Sequence, residues 1–371
     1  MTVDLGPLLK PLQCKSLKLR NRVAMAPMTR SFSPNNVPGE DVAGYYRRRA
    51  EGGVGLLITE GVMIPHPAAN ANNDVPALYG EEALSGWRRV VEQVHAAGGA
   101  IIPQLWHVGS VRREGVHPNP EIGGYSPSGL YKPDRTNGRA MSRDDVHEMI
   151  QAYATAARNA KQLGFDGVEL HGAHGYLIDQ FLWEGTNQRD DEYGGSFENR
   201  LRFPCEVVKA VRAEVGPDFA IVFRYSQWKQ QDYEAKLAPT PQELERLLIP
   251  LAEAGVDIFH ASTRRFWEPE FADSDLNLAG WTRKITGLPT ISVGSVGLND
   301  EFIMGTFQAR GEGRVESANL DNLIERMSRD EFDLVAVGRA LLQDPYWFDK
   351  LRTGRSEEIE PFRKAALETL S

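Results

Sequence analysis

Apolar positions along this chain fall into two alternating rhythms. Short β-rich runs take turns with longer stretches in which apolar residues recur every third or fourth position. The first run, 23–28, leads to Thr29, and 41–50 reads as a helix. A second predicted strand, 54–59, ends in Glu60 and Gly61. The stretch 82–97 is helical, with Gly98 and Gly99 as its stop signal. A third strand, 100–105, delivers Gln104 and Trp106 at its end.

Residues 111–140 break the rhythm with many Gly and Pro and no helical period, and read as a long excursion, with a hairpin as one form of it. Ser142 with Asp145 then has the form of a capping box, and Val146, Met149, Tyr153, Ala156, Ala160 and Leu163 follow at helical spacing. A fourth strand, 168–170, stops at His171 and gives way to a glycine-bracketed loop with His174 and Tyr176. A helix through 199–214 follows. The fifth strand, 219–223, ends at Arg224, and Thr240-Pro241-Gln242-Glu243 marks another helix start, with proline at the first helical position. That helix runs to Ala254. Strands 257–260, 290–293 and 334–337 complete the set, the last two ending in Gly294-Ser295 and Gly338-Arg339, with a helix at 318–327 between them.

Eight strands separated by helical connections predict a closed parallel (β/α)8 barrel, an α/β fold. Right-handed crossovers leave few other topologies for so regular an alternation. The expected organisation is a single domain over 1–371, with a barrel core at about 22–351 and an extension at 352–371; a split near Ala140 is the competing arrangement.

Composition narrows the partners. A net charge of −9 argues against nucleic acid, which needs concentrated Lys and Arg. No apolar run approaches the roughly 18 residues of a membrane helix. Neither Cys14 nor Cys205 sits in a metal-like spacing, and reduced thiols suit a reducing compartment. With no basic stretch leading into an apolar run near Met1, the expectation is a cytoplasmic protein, monomeric or homo-oligomeric.

In such a barrel the residues just past each strand share one rim, where chemistry is done. They are Thr29, Gly61, Gln104 with Trp106, His171 with His174 and Tyr176, Arg224, Gly294 with Ser295, and Gly338 with Arg339. The last two pairs follow the strands after which barrels commonly bind phosphate, although a plain turn explains either pair alone. Thr29, Gln104 and Arg224 suit a flat polar ring system, and a fixed cation at 224 can stabilise an anion forming on it. The structural alternative pairs Arg224 with Asp257 or Glu169. The two histidines are open to three readings: metal ligands, donors that hold a carbonyl oxygen while Tyr176 acts as general acid, or caps of the strand end. No H-E-x-x-H pattern and no third ligand at suitable spacing accompany them, and no metal is expected.

The block from Val168 through Tyr176 to Leu182 resembles the Old Yellow Enzyme family of FMN-dependent ene-reductases, and Asn187 to Arg200 extends the likeness. Asn21 to Thr29, Gln104 to His107 and Val337 to Leu341 add to it, so that the resemblance runs from about Leu8 to Leu351. It implies a tightly bound, non-covalent FMN, with NADH or NADPH as reductant and an α,β-unsaturated carbonyl compound as substrate. Pro27, Met28 and Thr29 would contact the flavin ring, Gly61 would pack beside it, Gln104 would bind its pyrimidine edge, and Arg224 would face its N1 and O2. Gly294, Ser295, Gly338 and Arg339 would hold the phosphate. His171 and His174 would bind the substrate carbonyl, Tyr176 would donate the proton, and Trp106 would shape the pocket. Three departures bear on substrate range: no tyrosine between Met63 and Asp74, no Tyr-rich segment after Leu351, and an unusual stretch from Tyr225 to Tyr233. The competing functions are a metal-dependent barrel hydrolase or lyase using both histidines, and a flavin-binding protein without turnover.

Overall fold

The computed structural model describes residues 4–297 and 317–371. Eight parallel strands close into a barrel in sequence order: β1 (Val23–Met25), β2 (Leu56–Met63), β3 (Ala100–Trp106), β4 (Gly167–His174), β5 (Ala220–Lys229), β6 (Ile258–Ser262), β7 (Thr290–Val293) and β8 (Leu334–Val337), with β8 paired to β1. The helices Glu40–Glu51, Glu81–Ala96, Arg143–Leu163, Phe197–Val215, Pro241–Ala254, Leu278–Thr286 and Ser317–Ser328 follow the first seven strands in turn.

Period-two alternation builds both faces of the barrel wall. Ala24, Leu56, Ile58, Ala100, Ile102, Val222, Ile258, Ile291 and Leu334 fill the interior together with Leu12, Leu17 and Leu19 of an N-terminal hairpin. Ser16 of that hairpin accepts the amide of Ala220, the first residue of β5, at 2.8 Å, so the hairpin plugs the end of the barrel where the strands begin. The intervening positions, such as Leu57, Ile101, Leu170 and Phe223, pack outward under the helices.

Both capping boxes form in full. Ser142 and Asp145 exchange side-chain and backbone bonds, as do Thr240 and Glu243 with Pro241 in the first turn. Residues 111–140 do contain a hairpin, Leu130–Lys132 against Arg135–Thr136.

Four boundaries differ from expectation. β1 stops at Met25 because Pro27 offers no amide to the ladder. β2 runs on to Met63 through a register shift between Ile58 and Gly61. β4 does not stop at His171 but carries both histidines, with an irregularity between Gly172 and His174 and His174 at φ 67°. β5 continues six residues beyond Phe223, to Lys229, and it is this length that keeps β4 paired. The helix Leu278–Thr286 was not anticipated, although Asn277 caps its start and Gly287 takes the left-handed conformation at its end.

Candidate active site

The interior changes character towards the ends of the strands. Above the apolar layers, the alternating face supplies Gln104, Glu169, Arg224 and His260, all buried. Gln104 Nε2 donates to Glu169 Oε1 at 2.7 Å, and His260 Nδ1 donates to the other carboxylate oxygen at 2.6 Å. His260 Nε2 then has no hydrogen-bond partner, the pattern of a neutral imidazole with its proton on Nδ1. Burial alone raises the Glu169 carboxyl, but His260, Arg224 and the Gln104 amide outweigh it and hold the group below its ordinary value. Arg224 is therefore not locked into an ion pair with Asp257, which binds Arg212, nor with Glu169. Its Nη2 reaches Ser262 Oγ at 3.2 Å, and its Nε has no partner.

Over this layer opens a cavity of about 320 Å³ lined by Pro27, Met28, Thr29, Gln104, Trp106, His171, His174, Tyr176, Arg224, Gly294, Ser295, Gly338 and Arg339. Six strand ends thus meet in one space, as the rim argument requires, and Ser262 at the end of β6 adds a seventh. Gly61 is not part of the lining. A Cβ there would come within 2.4 Å of the Trp106 indole, so its contribution is to let that ring pack close against β2. Gly294, at φ 145°, leaves no room for a side chain beside Thr263. Arg339 Nη2 donates to Ser295 Oγ at 3.2 Å, which joins the ends of β7 and β8.

The aromatic groups form one cluster. His171 stands edge-on to His174 and to Tyr176, with centroids 5.1 and 5.0 Å apart. Trp106 packs edge-on to Tyr176 at 5.0 Å and nearly parallel to His171 at 6.2 Å. His171 Nδ1 accepts the Ala173 amide, which leaves its proton on Nε2. His174 Nε2 lies 2.8 Å from Ser262 Oγ. Burial, and then the charge of Arg224, push both imidazoles well below their ordinary range, so both are neutral. Burial pushes the Tyr176 phenol up to about 12, which keeps its proton on.

Several lining residues were not singled out from sequence. Trp228 stacks on His174 at 4.6 Å, and Gln230 Nε2 donates to Tyr176 Oη at 2.8 Å. Ser262, Thr263 and Arg264 follow from β6, and Phe362 and Leu367 from the extension. Ser262 had a signal, since it lies two residues past His260 on the same strand face. Phe362 and Leu367 had none. Among the described residues no group of three or more His, Cys, Asp or Glu is placed to hold a metal ion. Nor is any described helix long and apolar enough to cross a membrane.

Comparison with known proteins adds a family. Residues 7–308 match the model of the NADH:flavin oxidoreductase / NADH oxidase family. The chain is 33% identical over 350 residues to 12-oxophytodienoate reductase 2 of Arabidopsis thaliana, covering 91% of this chain and 86% of that one. It is 42% identical over 229 residues to 12-oxophytodienoate reductase 7 of Oryza sativa subsp. japonica, 57% of each chain. Against the NADH oxidase of Thermoanaerobacter brockii it is 33% identical over 93% of its own length, and spans only half of that protein (50%). Among solved structures, morphinone reductase in complex with tetrahydroNAD superposes with a TM-score of 0.80 at 30% identity, over 97% of this chain and 93% of that one.

Proposed function

The chain belongs to the NADH:flavin oxidoreductase / NADH oxidase family, the Old Yellow Enzyme group of oxidoreductases, and on that premise we propose that it is an FMN-dependent ene-reductase acting on α,β-unsaturated carbonyl compounds. The observation that carries the reading is the convergence of two neutral imidazoles and a protonated phenol, with ring centroids about 5 Å apart, over a buried cation whose Nε lacks a partner.

The cavity suits a tightly held, non-covalent flavin mononucleotide. Arg224 is a buried cation with an unmet donor, suited to the ring edge that gathers negative charge, and Gln104 with Thr29 offers hydrogen bonds to a flat heterocycle. Pro27 and Met28 supply an apolar wall. Gly294, Ser295, Gly338 and Arg339 lie together where the phosphate would sit. Gly61 acts at one remove, by seating Trp106. When bound, the flavin supplies a two-electron carrier that takes hydride from NADH or NADPH and returns it to the β-carbon of an activated alkene.

The protein's own groups do the rest. His171 Nε2–H and His174 donate to the substrate carbonyl oxygen. A carbonyl that reaches His174 Nε2 takes the place of the Ser262 hydroxyl. These bonds strengthen as negative charge builds on the oxygen, which stabilises the transition state more than the bound substrate. Tyr176 gives its proton to the α-carbon, and the resulting phenolate is reprotonated from solvent, so the alkene gains one hydride and one proton. Trp106 and Trp228 flank the histidines and keep bulk water away from them. The chain acts as one unit, the extension contributing to the same cavity.

The test is the visible spectrum of the purified protein before and after anaerobic NADPH or NADH, and again after an enone such as cyclohexenone. A flavin band that bleaches and returns supports cofactor, reductant and substrate class together. A colourless protein that does not take up FMN sinks the proposal.

A further inference from the structure

The stretch that departs most from the family resemblance, beyond Arg224 on β5, turns out to grip the loop that carries Tyr176. Three consecutive side chains reach across. Lys229 Nζ forms a wholly buried ion pair with Asp179 Oδ1 at 2.7 Å, and the other oxygen of Asp179 accepts the Gly175 amide at 2.7 Å. Gln231 Nε2 donates to the Gly175 carbonyl at 3.0 Å. Between them, Gln230 donates from its backbone to the His174 carbonyl at 3.4 Å and from Nε2 to Tyr176 Oη at 2.8 Å. Gln230 is thus held on both sides by residues anchored to the turn just before the phenol.

This bond decides where the phenolic hydrogen points. An amide nitrogen has hydrogens to give and no lone pair to accept with, so Tyr176 Oη is the acceptor. The hydroxyl must then place its own hydrogen elsewhere, and among the described residues no acceptor is recorded for it. The ring is wedged against Trp106 and His171, and both Tyr176 and Gln230 line the cavity. The free direction is the cavity itself. We infer that Gln230 is a positioning residue for proton transfer: by donating to Tyr176 Oη it turns the phenolic hydrogen towards the α-carbon of a bound alkene and stabilises the phenolate left behind. The inference rests on the ene-reductase reading above.

Replacing Gln230 by Leu removes the donor, and Gln230→Glu replaces it with a near-isosteric carboxylate that can only accept and so draws the phenolic hydrogen out of the cavity. With each protein flavin-loaded, stopped-flow measurement of both half-reactions is expected to leave the nicotinamide step within about twofold of the parent. The enone step should fall about tenfold in Gln230→Leu and on the order of a hundredfold in Gln230→Glu. The Gln230→Glu loss should recover as pH falls and the carboxyl regains a proton to donate, a profile that a merely structural role does not produce. In a Tyr176→Phe background neither change should cost more. The NMR signal of carbon-labelled tyrosine, assigned by its loss in Tyr176→Phe, should show the phenol titrating at higher pH in Gln230→Leu than in the parent.

An amide turned the other way, with its oxygen holding the phenolic hydrogen, gives the opposite result: Gln230→Leu is unchanged or faster in the enone step. That result, or equal losses with and without Tyr176, overturns the inference. Gln230→Glu carries the test alone should Gln230→Leu fail to fold. Failure of the underlying reading is distinct, because then the parent itself shows no enone step.

Discussion

An imidazole that steadies a forming oxyanion must keep a hydrogen to donate without becoming an acid itself, and both His171 and His174 are buried into that neutral state. Tyr176 lies on the other side of the same argument, its phenol held up at about 12. No group in the triad therefore titrates near neutrality. The enone step is expected to be flat between about pH 6 and about pH 9, and a bell with an apex near neutrality in stopped-flow data would contradict these assignments. Tyr176→Phe should slow that step at least about a hundredfold while leaving nicotinamide oxidation largely intact; equal losses in both steps would remove Tyr176 from the acid role. Glu60 offers a separate test of burial. Its carboxylate accepts the amides of Arg30 and Ser31, and burial raises it from 4.5 to about 7. A carboxyl with a raised folded value holds its proton more tightly when folded. The stability it confers is complete below about pH 4.5 and lost as pH rises through about 7. Gln at this position has no such loss, so unfolding free energies measured at about pH 5 and about pH 8 should shift in favour of Glu60→Gln at the higher pH, by up to about 3 kcal/mol.

At the scale of elements, what could be read from the chain was what local chemistry determines. Ser142 with Asp145 and Thr240 with Glu243 announced two helices because a capping box needs only four residues. Asn277 and Gly287 carried a weaker signal for Leu278–Thr286, because Gly280 at the third position has no side chain to complete a capping box. The tail of β5 was not legible in this way. Arg224 to Lys229 is polar, and it stays extended because distant groups pair with it: Gln227 exchanges bonds with both backbone groups of Ala238, and Lys229 meets Asp179. Burial pushes the Asp179 carboxyl up and the Lys229 ammonium down, while their mutual contact opposes both shifts. Breaking such a pair strands a buried charge. Lys229→Met should cost about 3–5 kcal/mol in unfolding, and Lys229→Met combined with Asp179→Asn distinctly less. A single variant as stable as the parent would show that the pair does not fasten β5 to the Tyr176 loop.

For the molecule as a whole, the alternation of strands and helices was enough to place almost every rim residue, because a closed parallel barrel brings its strand ends together whatever the loops do. Glu169 and His260 lay on the same alternating face and went unread as members of the polar layer beneath the site. The extension was the part no pattern could place. Phe362 and Leu367 reach the cavity because Arg30 Nη2 donates to the carbonyls of Ala366, Leu367 and Thr369, at 3.2, 3.0 and 2.8 Å, and Arg49, itself buried over the Tyr45 ring, donates to Ser371. Glu60 in turn fixes the backbone of Arg30. The strap is thus tied back to β2, and its two apolar side chains line part of the cavity wall. A wall of this kind sets which substrates fit, since pocket volume discriminates by about 1–3 kcal/mol per group. Phe362→Ala should raise kcat/KM for a bulky enone relative to cyclohexenone by on the order of tenfold. Arg30→Met, which cuts the strap's three bonds to Arg30 and leaves those to Arg49 and the wall itself, should move the ratio in the same direction by less. If Phe362→Ala leaves the ratio unchanged, the strap closes the barrel without choosing what enters it.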